Sequence, residues 1–173
     1  MTVPPGLRKL VLTAHITTTV GWLGAIAAFL AVALIGLTSD EAQTVRGAYL
    51  VMERAAWLVL IPLAFASVLT GIVQSLITPW GLFQHYWVLF KLLIGIFATV
   101  VLLMYMQTFS SMAAVAGDPG ADLGAVRNVS PALHASLALL LLLVATVLAV
   151  YKPRGITAYG RRVEAERRAA LRR

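Results

Sequence analysis

The chain has 173 residues, of which 60% are hydrophobic and 12% are charged, and its formal net charge is +7. A soluble domain of this size could not bury so much apolar surface, so the composition predicts a polytopic membrane protein. The absence of cysteine excludes disulfides, thiolate metal sites, iron-sulfur clusters and covalently attached c-type haem.

Four apolar runs define the predicted architecture. A hydrocarbon core about 30 Å thick needs roughly 20 helical residues, and the runs at about 10–37, 55–77, 86–115 and 131–151 meet this length. We therefore predict an all-α, integral membrane, antiparallel four-helix bundle within residues 1–155, followed by a basic tail at 156–173. The first run is about twice as long as a signal-peptide h-region, so we interpret it as a retained span.

Basic residues are concentrated at one end of this bundle. Arg8 and Lys9 precede the first span, and a basic series from Lys152 to Arg173 follows the fourth. The connections at the other end carry Asp40, Glu41, Asp118 and Asp122, with only Arg46 and Arg127 as basic residues. The positive-inside rule then predicts a bacterial-type inner membrane protein with both termini in the cytoplasm. We interpret the positive charge as a topology signal that also attracts membrane lipids, and not as a nucleic-acid surface.

Two features predict the course of the second helix. Thr38-Ser39-Asp40-Glu41 has the form of a capping box, from which a helix can run continuously to Ile77. Pro62 lies in the middle of that span, so we expect a kink there.

The first span combines small and aromatic residues. Small side chains recur at three- and four-residue spacing around Gly21 and Ala25, which favours close helix packing. His15 and Trp22 lie on a neighbouring stripe. If that stripe faces the bundle, it suits a flat aromatic ligand.

Histidines at membrane depth are candidate functional residues because polar groups are costly there. His15 lies about 9 Å deeper than Lys9, and His134 lies about 27 Å from Lys152 along its helix, which places the two about 18 Å apart in depth. They therefore cannot coordinate one metal together. His85 lies in the Trp-rich segment TPWGLFQHYW, which is typical of an interfacial belt, and it could pair with His15 only if drawn inward.

His134 matches the depth of the outer part of the third span, where Met104, Tyr105 and Met106 lie. A His/Met or His/Tyr haem site in the outer leaflet is therefore geometrically open. Packing is the competing interpretation of the methionines.

Residues in all four spans also carry a family resemblance. They are His15 and Trp22 in HITTTVGWLGA, then Pro62, Thr70 and Gly71, Trp87 and Lys91 in WVLFK, Arg127-Asn128 before Pro131, and Lys152-Pro153. This pattern resembles the HemJ-type membrane protoporphyrinogen oxidases. It also resembles the broader group of copper-resistance D-like membrane proteins.

The resemblance implies a helical bundle with haem b that takes electrons from a porphyrinogen and passes them to a membrane acceptor. His15 would be the histidine tied to haem, and Lys91 and Arg127 would be the cations for the propionates. The family carries a second histidine after the third-helix lysine, where this chain has apolar residues up to Tyr105.

The leading hypothesis is thus a redox or electron-transfer membrane protein that binds haem b, with a porphyrinogen-like compound as the candidate substrate. The candidate cofactor-binding residues are His15, Trp22, His85, Lys91, Met104, Tyr105, Met106, Arg127 and His134, with His15 and His134 as candidate metal ligands. One alternative is a non-enzymatic scaffold or accessory subunit that packs on a partner subunit, and another is a copper-handling membrane protein. The sequence leaves a homo-oligomer open.

Overall fold

The computed structural model describes residues 3–171, and Arg172 and Arg173 of the predicted tail lie outside the described residues. Four helical spans are long and apolar enough to cross a membrane: Pro5–Thr38, Ala42–Leu76, Tyr86–Gly117 and Leu123–Tyr151. Residues 3–171 form helices without a strand. The prediction of an all-α chain with four apolar spans is confirmed.

The helices are numbered in chain order. They are α1 at Pro5–Thr38, α2 at Ala42–Ala55, α3 at Ile61–Leu76, α4 at Tyr86–Gly117, α5 at Ser130–Tyr151 and α6 at Ala158–Leu171. A π turn at Ala56–Leu60 joins α2 to α3, and a 3-10 turn at Leu123–Ala125 precedes α5. The described part of the basic tail is therefore helical at Ala158–Leu171.

The second span is continuous, but its start and its centre differ in detail from the prediction. Thr38 is the last residue of α1, where its hydroxyl donates to the Leu34 carbonyl, so the predicted capping box is not formed. Pro62 has no N–H to donate to the Leu58 carbonyl. The π turn contains Leu58, and the Ile61 N–H donates to Ala56, five residues earlier. The irregularity that proline causes is thus a π turn.

The four spans lie at the corners of a square. The helices α1 and α4 are diagonally opposite, and each of them packs against both α5 and the second span. Gly21 lies against Leu63 of α3, with 3.5 Å from an added Cβ to the Leu63 side chain, whereas Gly24 has no atom within 4 Å. The Phe29 and Phe109 rings meet across the centre with centroids 5.1 Å apart.

The bundle has two ends that differ in charge. The basic end comprises the start of α1, residues 77–85 and residues 152–157. The far end comprises residues 39–41 and 118–129. Alternating span directions place the first turns of α1 and α4 and the last turns of α3 and α5 at the basic end.

Arg46 fixes the far end. Its guanidinium projects from α2 and donates to carbonyls at the end of α4 and in the following loop: those of Val115, Ala116, Asp118, Pro119 and Ala121. The carbonyls at the end of α4 lack the usual partner four residues later, and they lie at the negative end of the α4 dipole. The Val115 carbonyl also accepts from the Asp118 N–H at 3.2 Å. One cation therefore caps α4 and orders the loop.

Replacing Arg46 with Met should lower the free energy of unfolding by about 2 kcal/mol, because hydrogen bonds to a charged donor are lost. Arg54→Met is the matched control, since Arg54 is also on α2 but is exposed and contacts only its neighbour Glu53. Reversible unfolding in mixed micelles, followed by circular dichroism, measures both changes. Equal stability of the two variants would contradict the role of Arg46.

Candidate functional site

A cavity of about 470 Å³ opens between α1, the π turn, α4 and α5. Its volume is within the range of about 300–1,000 Å³ that is usual for small-molecule sites. The walls are almost entirely apolar, and polar atoms come only from Trp22, Tyr105 and His134 among the lining residues. Such walls suit a flat, mostly apolar ring molecule.

His134 is held in a defined orientation beside this cavity. Its Nδ1 lies 2.8 Å from the Ser130 carbonyl oxygen, one turn earlier on α5. A carbonyl can only accept, so we assign the imidazole proton to Nδ1. The Nε2 atom then carries the lone pair and is free to bind a metal or accept a proton.

Tyr105 completes this arrangement from α4. Its ring lies over the His134 ring, with centroids 4.4 Å apart and planes inclined by 35°. The Tyr105 hydroxyl donates to Ser130 Oγ at 2.6 Å. Tyr105 therefore positions His134 and Ser130, and its hydroxyl is already engaged within the protein.

Trp22 contributes the unpaired polar group. The side chain is only 2% exposed, it lines the cavity, and its Nε1–H has no hydrogen-bond partner. An indole N–H can only donate, and leaving a buried donor unpaired is costly. A ligand with an acceptor atom in the cavity would remove that cost.

The remaining candidates from α4 and the far end lie outside the cavity lining. Met104 is exposed on the lipid-facing side of α4, and Met106 is buried, but neither lines the cavity. Arg127 donates from Nη2 to the Ser39 carbonyl at 2.7 Å, which ties the approach to α5 to the end of α1. Its Nε atom is buried without a partner.

His15 belongs to a separate polar seam between α1 and α3, nearer the basic end. The Thr70 hydroxyl donates to the Ala66 carbonyl at 2.6 Å within its own helix. With that proton committed, Thr70 Oγ1 accepts from His15 Nδ1 at 3.1 Å. Thr19 contacts Ser67 across the same seam at 3.2 Å. His15 thus also has its proton on Nδ1, and Gly71 leaves room for its ring.

His85 and Lys91 lie at the basic end. His85 Nδ1 donates to the Trp80 carbonyl at 2.7 Å, and its ring packs edge-on against the Trp80 ring. Lys91 Nζ lies 5.7 Å from the centroid of Trp87. Both residues are therefore part of an aromatic rim, as the sequence pattern predicts for His85.

The structure brings together some candidates and separates others. His134, Tyr105 and Trp22 share the cavity, whereas His15 lies in the seam and Lys91 and Arg127 lie at opposite ends of the bundle. Within residues 3–171 no group of three His, Cys, Asp or Glu side chains could hold a metal ion.

Sequence reasoning missed the hydroxyl partners of the two partly buried histidines, His15 and His134. Ser67 and Thr70 of α3 face Thr19 and Thr18 of α1. Ser67 and Thr70 are three residues apart, and Thr18 and Thr19 are adjacent. Such closely spaced hydroxyl residues on two apolar helices are the signal that could have identified the seam.

No protein-family model matches the chain, and no curated protein or solved structure matches it. The resemblance to the HemJ-type oxidases therefore stays a prediction.

Replacing Thr70 with Val should weaken the packing of α1 on α3 by on the order of 1 kcal/mol, the usual scale for a hydrogen bond between membrane helices. The variant keeps the shape of the side chain but removes the hydroxyl oxygen that accepts from His15 Nδ1. Thr146→Val is the matched control, because that hydroxyl donates only to Leu142 in its own helix. Thermal unfolding in detergent compares the two, and an equal effect would contradict the seam.

Proposed function

We propose that the chain is a redox-type membrane protein that holds a flat ring molecule in the cavity beside Trp22 and His134, with haem b as the ligand. The observation that carries this proposal is the orientation of His134, whose Nδ1–H is anchored on a backbone carbonyl at the cavity wall. Metal-ligating histidines almost always donate their second N–H in this way.

The residues present fit haem b held through one histidine. His134 Nε2 would hold the iron, and the apolar side chains of α1, α4 and α5 would enclose the macrocycle. The cavity lining offers no second ligand, since the Tyr105 hydroxyl is engaged with Ser130. When bound, haem b supplies one-electron redox chemistry.

The side chains around the cavity each have a role in holding such a ligand. Trp22 donates from Nε1 to an acceptor atom, and Tyr105 keeps the His134 ring in place. Arg127 lies at the end of the bundle nearer Ser130 and has an unpaired Nε, so it is the better placed cation for a carboxylate at that rim. Lys91 lies at the opposite end and is assigned no part in this site.

The scaffold and copper alternatives receive less support. The small-residue face of α1 is used inside the bundle at Gly21, against which Leu63 of α3 lies. Copper handling would need thioethers near an imidazole, and Met104 and Met106 lie outside the cavity lining that contains His134.

Haem binding is tested by the absorption spectrum of protein purified from cells supplied with a haem precursor. We expect a Soret band in the wild type and in His85→Ala, and its loss in His134→Gly, because His134 is the proposed ligand. Added imidazole should restore the band in His134→Gly by occupying the vacated space.

The absence of a Soret band from the wild type would refute haem binding. A Soret band that persists in His134→Gly without added imidazole would show that haem binds but would refute His134 as its ligand. Circular dichroism on each variant separates the loss of haem from the loss of the fold.

A bacterial inner membrane with both termini in the cytoplasm is the proposed location. Lys9, Lys91 and Lys152 all lie at the basic end, which supports that orientation by the positive-inside rule.

The cysteine-free sequence allows a direct test of this topology. A membrane-impermeant maleimide added to intact cells or spheroplasts should label Gly120→Cys, at the far end, and spare Ala169→Cys on α6. Both positions are exposed, so permeabilised cells should show labelling of both variants. Labelling of Ala169→Cys from outside would reverse the proposed orientation.

A further inference from the structure

A cluster of two lysines and two tryptophans lies at the basic end. Lys91 Nζ lies 5.7 Å from the Trp87 centroid, and Lys152 Nζ lies 5.2 Å from the Trp80 centroid. The two indole rings meet edge to face with centroids 5.6 Å apart. This lysine-tryptophan cluster joins the start of α4 to the end of α5, and it is separate from the cavity beside His134.

Backbone pairing holds the cluster in place. The Tyr86 N–H donates to the Gly155 carbonyl at 3.3 Å, and the Thr157 N–H donates to the Gln84 carbonyl at 3.0 Å. The loop before α4 is thereby joined to the segment after α5. The Trp80 carbonyl also accepts from His85. Because these bonds already fix the backbone around the cluster, a bound ligand would lose little free energy in ordering it, which favours binding.

The two ammonium groups have no carboxylate partner in the part of the chain that the structure describes. The ion pairs formed there are Arg54 with Glu53 and Arg168 with Glu164. Lysines on an interfacial tryptophan belt lie at the depth of lipid phosphates. Two positive charges at that depth therefore create a site for an anion.

We propose that the lysine-tryptophan cluster binds the phosphate of one anionic phospholipid, of the phosphatidylglycerol class. Phosphate chemistry alone would also suit a soluble anion, but the flank of α4 argues for a lipid. Phe90, the residue next to Lys91 on α4, is exposed, and an acyl chain of a lipid held at the cluster would cover it. Zwitterionic lipids carry no net charge to satisfy both lysines.

The proposal is tested by native mass spectrometry of the full chain released from detergent with equal amounts of phosphatidylglycerol and phosphatidylcholine. We expect one phosphatidylglycerol to be retained preferentially. Lys91→Gln and Lys152→Gln should each weaken retention about fivefold, and the double variant by about the product, from the usual contribution of a cation near an anionic lipid.

Lys9→Gln is the matched control, because Lys9 is an exposed lysine at the same end of the bundle and should leave retention unchanged. Equal retention of the two lipids, or full retention by the double variant, would refute the site. Displacement by millimolar inorganic phosphate would assign it to a soluble anion and would equally refute a lipid site. Circular dichroism confirms that each variant is folded.

Discussion

Hydrocarbon cannot hydrogen-bond, and this constraint governs every polar group in the four spans. Most hydroxyls inside the helices satisfy it locally by donating to the carbonyl four residues earlier, as Ser75, Thr99 and Ser136 do. Where a group finds no partner, something must compensate. The Trp22 indole N–H has no partner and lies beside a cavity. Trp22 is therefore a stronger candidate for ligand binding than its sequence context suggests.

The same constraint explains why His15 and His134, which are both partly buried, are ordered through Nδ1. The Thr70 hydroxyl donates its proton to the Ala66 carbonyl, so its oxygen can only accept a hydrogen bond from His15. The Ser130 carbonyl, which faces His134, can also only accept. Each imidazole therefore presents an unprotonated Nε2. What separates them is their surroundings: His134 borders a cavity, whereas His15 is enclosed by α3 and serves helix packing.

Much of the fold could be predicted from the sequence because hydropathy and span length reflect the same solvent constraint. The four spans, the continuity from Ala42 to Leu76 and the disturbance near Pro62 follow from it. The capping box failed because Thr38 bonds within α1 instead. Both choices satisfy the hydroxyl locally, and the sequence does not distinguish them.

The candidate site was predictable only in part. Depth counting placed Tyr105 near His134, because a rise per residue is fixed along a helix. It could not give the rotation of α4 about its axis, which turns Met104 toward lipid and Tyr105 toward the cavity. It also could not show that Arg127 and Lys91 lie too far apart to serve one ligand, since the resemblance supplied residue types without positions.

The two ends of the bundle use cations in opposite ways. At the far end, Arg46 and Arg127 turn inward and satisfy loop carbonyls with their several donors. At the basic end, Lys91 and Lys152 lie near the Trp87 and Trp80 rings, without a carboxylate partner within residues 3–171. Arginine suits the first task because its planar group can bind several carbonyls at once, whereas lysine is a point charge on a flexible stem. The two ends therefore differ in how their cations are used: guanidinium groups fix loops at the far end, and ammonium groups lie against aromatic rings at the basic end.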